Sequence, residues 1–205
     1  MKQTCSILIL LALGLSGCAA PVPRVDIETV QVSNPIKLSP GTSKKIYVAD
    51  LVDKLSSLKI GQAESGTLCV GGTELLWTGN VAIRNLMSSQ VREELLSNGY
   101  AVSTSLLAIA SERDADVVVG VALTDIKGNI CSALNTGTKG EVFAELSWEV
   151  FDKASAKTVL LKSKGTSKFD DFSRTGDPDI YLKAVQVATR NFLSNEEFAK
   201  LVGKK

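Results

Sequence analysis

The chain has 205 residues, and its 23 lysines and arginines against 22 aspartates and glutamates leave a net charge of +1 at neutral pH. This balance lacks the basic excess that binding to nucleic acid or to anionic lipid requires, so neither is expected as a partner. The sequence contains no histidine, which excludes histidine-based catalytic triads, histidine-ligated zinc and imidazole pH switches.

The N-terminal segment has the features of a secretory signal. Lys2 precedes an apolar run at residues 7–13, which is too short to cross a bilayer because a spanning helix needs about 20 apolar residues. The next residues, Leu15-Ser16-Gly17-Cys18, resemble the lipobox of bacterial lipoproteins. That resemblance implies cleavage after residue 17 and attachment of acyl chains to Cys18. An ordinary secretory signal cut near Ala20 is the alternative.

The mature chain is predicted to consist of a short tether and one domain. The residue after Cys18 is Ala19 and not the aspartate that commonly retains lipoproteins at the inner membrane, so the resemblance implies the outer membrane, facing the periplasm. Residues 18–43 contain four of the five prolines, which is typical of an extended tether. Residues 25–32 alternate apolar and polar positions, and this pattern favours an edge strand instead. Residues 44–205 are long enough for a single domain with its own core.

Hydrophobic periodicity and capping residues predict the elements of this domain in chain order. They are a buried strand at 45–53, a non-periodic loop at 60–80, a helix at 80–97 capped by Asn80, a short strand at 100–104, a short helix at 106–113, a central strand at 116–125, a polar loop around Cys131, an alternating strand at 141–151, its hairpin partner at 158–164, and helices beginning at Asp177 and Ser194. This order predicts an α/β (α+β) sandwich with a mixed sheet of about five strands covered by two main helices.

Two cysteines, Cys69 and Cys131, remain after Cys5 leaves with the signal and Cys18 is acylated. In an exported protein such a pair predicts a disulfide, here between two glycine-containing loops. A pair of free redox-active thiols is the alternative, but the two residues lack Cys-x-x-Cys spacing.

The loop of residues 60–80 is the predicted contact surface, because loops of this length are usually functional or stapled. It contains Leu75, Leu76 and Trp77, which we expect either to pack under the disulfide or to contact a protein partner. The sequence lacks a phosphate-binding loop, and the Ser56-x-x-Lys59 spacing lacks the companion motifs of penicillin-recognising enzymes. We therefore expect no enzymatic activity, no metal and no cofactor.

Four segments, at residues 45–49, 95–102, 115–121 and 144–152, form a series that resembles a group of periplasm-facing bacterial lipoproteins with a TolB-N-terminal-like α/β sandwich. The group includes the penicillin-binding-protein activator and the curli-secretion lipoproteins. The resemblance implies a non-catalytic domain that binds an envelope protein complex and assists assembly, secretion or transport, and it permits an oligomer. The chain is too short for pore-lining hairpins and its tether is too short to cross a cell wall, so neither named activity carries over. The alternative is binding of a lipid or cell-wall fragment between the sheet and the helix at 80–97.

Overall fold

The structure of the chain, a computed structural model, describes residues 22–103 and 108–204. The predicted signal and Cys18 lie outside the described residues, so cleavage and lipidation there stay predictions. Among the described residues, no helix is both long enough and apolar enough to cross a membrane.

The described residues form one eight-stranded sheet and four helices. In chain order these are β1 (Lys45–Val48), β2 (Val52–Asp53), β3 (Lys59–Ser65), β4 (Val70–Leu76), α1 (Val81–Ser97), β5 (Ala101–Val102), α2 (Ala108–Asp114), β6 (Val117–Ala133), β7 (Gly137–Asp152), β8 (Lys157–Ser173), α3 (Asp177–Leu193) and α4 (Glu196–Val202). The predicted α/β class is confirmed. The predicted strand count of five was too low, because β3 and β4 carry no periodic signal and the short β2 was predicted as part of β1.

The long strand β6 organises the sheet. Along one edge it pairs in parallel with β1 and then with β3, and along the other edge it pairs antiparallel with β7. The β7 strand continues to β8 through a second antiparallel pairing. The predicted loop around Cys131 was wrong, since this residue lies within β6. A register shift between Leu123 and Asp125 reverses which side chains face the core and breaks the apolar pattern that marks the first half of the strand.

Helices α1 and α3 cover one face of the sheet. The predicted cap of α1 is present, because the Asn80 side chain accepts a hydrogen bond from the Ile83 amide at 2.9 Å. Below α1, Met87, Val91 and Leu95 are each at most 1 % exposed, so side chains fill the space between this helix and the sheet. Leu86, which was placed beside this stripe, is instead exposed.

A buried charged group joins the two helices. The Glu94 carboxylate on α1 accepts hydrogen bonds from Arg190 on α3 at 3.1 Å, one from Nε and one from Nη2, and a further one from Gln186. The Glu94 residue is only 4 % exposed. Because a buried carboxylate is costly unless it is paired, this contact fixes how α1 and α3 lie against each other.

The segment at residues 22–38, here called the strap, is neither a free tether nor a strand. It has no regular secondary structure, yet side chains of the folded domain hold its backbone. Asn129 on β6 accepts from the Val25 amide at 3.0 Å and donates to the Val25 carbonyl at 2.8 Å. Thr166 on the edge strand β8 donates to the Glu28 carbonyl at 2.8 Å.

The second half of the strap continues onto the helices. Asn191 on α3 donates to the Gln31 carbonyl at 3.0 Å and accepts from the Ser33 amide at 2.6 Å. Farther on, the Tyr100 hydroxyl donates to the Ile36 carbonyl at 2.9 Å. The strap therefore passes over the edge strand β8 at Thr166 and continues onto the helices.

Candidate functional site: a groove beside Trp77

The predicted contact loop at residues 60–80 is mostly a β-hairpin, so that interpretation was wrong in its secondary structure. Strands β3 and β4 pair antiparallel, with Lys59 opposite Leu76 and Ala63 opposite Thr73. Strand β4 lies at the edge of the sheet and all of its residues are at least partly exposed. An edge strand whose two faces are both exposed to solvent does not alternate apolar and polar residues, which explains why the sequence predicted a loop.

The chain leaves the sheet directly after β4 and turns into α1. The Trp77 amide donates to the Leu58 carbonyl at 2.8 Å, which fixes the backbone at the end of the hairpin. Gly79 then has a φ of +56°, and a Cβ on this residue would lie 2.9 Å from an Asp53 oxygen. The left-handed backbone therefore favours glycine here, and a Cβ would in addition displace the Asp53 carboxylate.

Trp77 forms the base of the site together with a residue from α3. Its side chain is 6 % exposed, and its ring packs edge-on against Tyr181, with 5.7 Å between centroids and an interplanar angle of 64°. Burial raises the pKa of the Tyr181 hydroxyl, and the nearby Asp177 carboxylate adds to the same effect. The two rings give a rigid apolar floor.

A groove of about 250 Å³ opens over this floor. We call it the Trp77 groove. Its apolar wall consists of six residues: Leu75, Leu76, Trp77, Ile83, Pro178 and Tyr181. Leu76 is 54 % exposed, whereas Trp77 is buried. Of the three residues predicted as the contact, Leu76 is therefore the most exposed. Leu75 lies between them in exposure and packs over Gly128 of β6.

Polar groups mark the rim of the groove. Asp177, the first residue of α3, accepts hydrogen bonds from Thr138 at 2.5 Å and from Ser132 at 3.2 Å. Outside the groove lining, Asp53 lies 3.7 Å from Arg84 of α1. Among the described residues, Asp53 Oδ1 and Trp77 Nε1 are buried atoms without a hydrogen-bond partner.

The predicted disulfide is present and lies at the other end of the hairpin. Cys69, just before β4, is joined to Cys131 of β6. Trp77 follows the far end of β4, so it packs under α3 and not under the disulfide. Glu64 lies close to both sulfurs, but sulfurs in a disulfide are not thiolates and do not offer a metal the ligand it needs.

A second cleft, of about 410 Å³, lies beside the disulfide. Two ion pairs lie in it, Arg24 with Glu64 at 2.7 Å and Lys168 with Asp170 at 2.8 Å. Lys139 lies over the Phe172 ring and Glu141 accepts a hydrogen bond from Asn129, so cations and acids of the cleft balance. The cleft therefore offers no unbalanced charge for an ionic ligand.

Comparison with known proteins gives structural matches alone. No protein-family model and no curated protein sequence matches the chain. A DUF330 protein from Xanthomonas campestris is 8 % identical over 82 % of this chain and 97 % of its own, with a TM-score of 0.45. The PelC dodecamer from Paraburkholderia phytofirmans is 16 % identical over 82 % and 99 %, with a TM-score of 0.44. Lipoprotein GNA1162 from Neisseria meningitidis is 8 % identical over 64 % and 88 %, with a TM-score of 0.38. Similarity at this level carries no argument about this chain.

Three residues of the groove were not predicted as site residues. Ile83 and Tyr181 were assigned to the apolar stripes of their helices, and Pro178 to a helix start. Each assignment describes the local helix correctly, but only the packing of α3 beside α1 brings them to Trp77.

Proposed function

We propose that this chain is a non-catalytic lipoprotein of the bacterial outer membrane, facing the periplasm, whose Trp77 groove binds an envelope protein. The single observation that carries the proposal is the exposed Leu76 above a buried Trp77–Tyr181 floor. A rigid aromatic floor with a solvent-exposed apolar wall is the geometry in which a partner side chain becomes a strong anchor.

The groove is large enough for one side chain of a partner protein. Sites for small ligands commonly measure roughly 300–1,000 Å³, and the Trp77 groove holds about 250 Å³. A space of this size accommodates an apolar side chain from a partner. The partner is therefore expected to be a protein that presents one aliphatic or aromatic residue at its contact surface.

The surroundings of the groove extend the apolar surface. Leu58, whose carbonyl accepts from the Trp77 amide, and Val81, the first residue of α1, are both more than half exposed. Leu58 and Val81 are not part of the groove lining, but they neighbour Trp77 and Asn80 along the backbone, so exposed apolar residues other than Leu76 occur close to the groove.

Site-specific photocrosslinking in intact cells tests this proposal. A photoreactive residue at position 76 is expected to give one discrete product, and the same residue at Leu160 serves as the control because Leu160 is also exposed but lies on β8. The product should disappear when Ile83→Asp places a charge in the groove wall, and it should persist with Leu160→Asp. Equal products from both positions, or none from position 76, would reject the groove as the binding site.

The alternative, a lipid or cell-wall fragment held between the sheet and α1, has less support. An acyl chain in that position would have to displace Met87, Val91 and Leu95, which are buried. Displacing such side chains costs several kcal/mol, roughly the cost of emptying a packed core. Binding of radiolabelled phospholipid to the purified protein with an affinity that Met87→Ala increases would favour this alternative.

A further inference from the structure

The end of the sheet that carries the disulfide also carries three exposed apolar side chains. Leu68 lies in the turn between β3 and β4, Val70 begins β4, and Leu134 lies in the turn between β6 and β7. Their exposed fractions are 83 %, 62 % and 91 % respectively. These three residues are here called the apolar tip.

The two turns of the apolar tip belong to one rigid end of the molecule. The Gly66 amide in the first turn donates to the Ser132 carbonyl of β6 at 3.0 Å, and the disulfide joins Cys69 to Cys131. Because a hydrogen bond and a covalent bond connect them, the two turns present their apolar side chains together.

The strap begins beside this same end. The Val22 amide donates to the Gly72 carbonyl at 3.3 Å, and Gln62 donates to the Val22 carbonyl at 2.5 Å. Gly72 is two residues from Val70 in β4, which corresponds to about 7 Å along a strand. The chain thus enters the described structure a short distance from the apolar tip.

The reach of the lipid anchor follows from this position. Cys18 precedes Val22 by four residues (22 − 18 = 4), and four residues span at most about 14 Å when fully extended. The acyl chains on Cys18 would therefore hold the first residues of the strap, and with them the apolar tip, close to the membrane surface.

The charges at this end do not oppose such a contact and do not drive it. Arg24 and Lys168 are each paired with an acid, and Lys139 lies over the Phe172 ring. Arg174 shares the surroundings of Leu134 with the acid Asp177, so attraction to anionic lipid contributes little. The contact would depend on burial of apolar area, which adds to a lipid anchor as a second membrane signal.

We infer that the apolar tip rests in the interfacial layer of the membrane that holds Cys18, an inference that depends on the proposed lipid anchor. The strap then sets the orientation of the domain, with the β3–β4 and β6–β7 turns against the lipid. The Leu76 end of the Trp77 groove lies six residues farther along β4, about 20 Å from Val70, so this end stays in the aqueous phase where a partner reaches it. The Asp177 end lies nearer the tip, because Asp177 accepts a hydrogen bond from Ser132.

Depth-dependent fluorescence quenching tests the orientation. The mature lipidated protein is reconstituted in vesicles of phosphatidylethanolamine and phosphatidylglycerol, with and without a phosphatidylcholine carrying a doxyl quencher near the headgroup. Leu134→Trp is the test variant. Leu160→Trp is the matched control, because Leu160 is also exposed but lies near the start of β8, opposite Glu149. The native Trp77 and Trp148 are buried and provide the background.

The expected result is a loss of emission on doxyl lipid for Leu134→Trp, no loss for Leu160→Trp, and the same pattern when phosphatidylglycerol is omitted. If the protein floats with the vesicles but neither variant is quenched, the anchor stands and the orientation is overturned. Equal quenching of both variants also overturns it, as does a blue shift of Leu134→Trp that depends on protein concentration and not on lipid. Protein that does not float with vesicles contradicts the lipid anchor itself.

Discussion

Releasing one end of the strap is the perturbation whose magnitude follows most directly from the structure. Asn129 is 6 % exposed, and its side-chain amide forms two hydrogen bonds with the backbone of Val25, at 3.0 and 2.8 Å. Asn129→Ala removes both hydrogen bonds but does not disturb the backbone pairing of β6. Each such bond contributes about 1 kcal/mol net, so local opening of the strap should become easier by about 2 kcal/mol.

Amide hydrogen exchange measured by NMR reports this opening at a single residue. A change of about 2 kcal/mol corresponds to roughly 30-fold faster exchange of the Val25 amide, because each 1.4 kcal/mol is a factor of ten. Asn85→Ala, an exposed position on α1, is the control and should leave Val25 unchanged. The reasoning is refuted if Val25 exchanges equally fast in the parent and in Asn129→Ala.

Three further perturbations test the packing of the domain. Replacing Cys69 and Cys131 by alanine opens a loop of 62 residues, and the free energy of unfolding in guanidinium chloride should fall by about 4 kcal/mol; an unchanged midpoint contradicts this. Glu94→Gln keeps the side-chain shape but leaves Arg190 without its carboxylate. Because Arg190 is partly exposed, we expect a loss of about 2 kcal/mol, typical of hydrogen bonds to a charged group, and equal stability would show that the pair contributes nothing. Burial raises the pKa of Tyr100 from 10.0 to about 12. The stability that Tyr100 contributes is therefore complete below pH 10 and is lost as the pH rises through 12. If the parent protein and Tyr100→Phe lose stability identically at alkaline pH, this expectation is wrong.

Local patterns predicted the elements whose signals lie within one stretch of chain. The cap at Asn80 and the glycine at position 99 bound α1, and the alternation of Val142, Leu146 and Trp148 marks the core face of β7, where each of these residues is fully buried. In these segments the residue type, the period and the burial all agree, which is the condition under which a sequence predicts its structure.

The parts that the sequence did not predict depend on partners far away in the chain. Asn129 and Asn191 hold the strap across separations of 104 and 158 residues, and a polar residue in a strand or helix does not indicate such a role. The Trp77 groove likewise needs Tyr181 from the last long helix. Residues 18–43 were predicted as an extended tether, with an edge strand at residues 25–32 as the alternative, because composition and period describe the conformation of the backbone and not what it packs against.

Crosslinking at position 76 in two forms of the protein tests the central claim most directly. One form carries its own signal and Cys18, and the other carries a secretory signal without a lipobox, so that it enters the periplasm unlipidated. The account predicts a discrete partner product with the lipidated form and a much weaker one with the soluble form, because tethering raises the effective concentration at the membrane. Equal products from both forms, or no product from either, would contradict a lipid-anchored interaction domain.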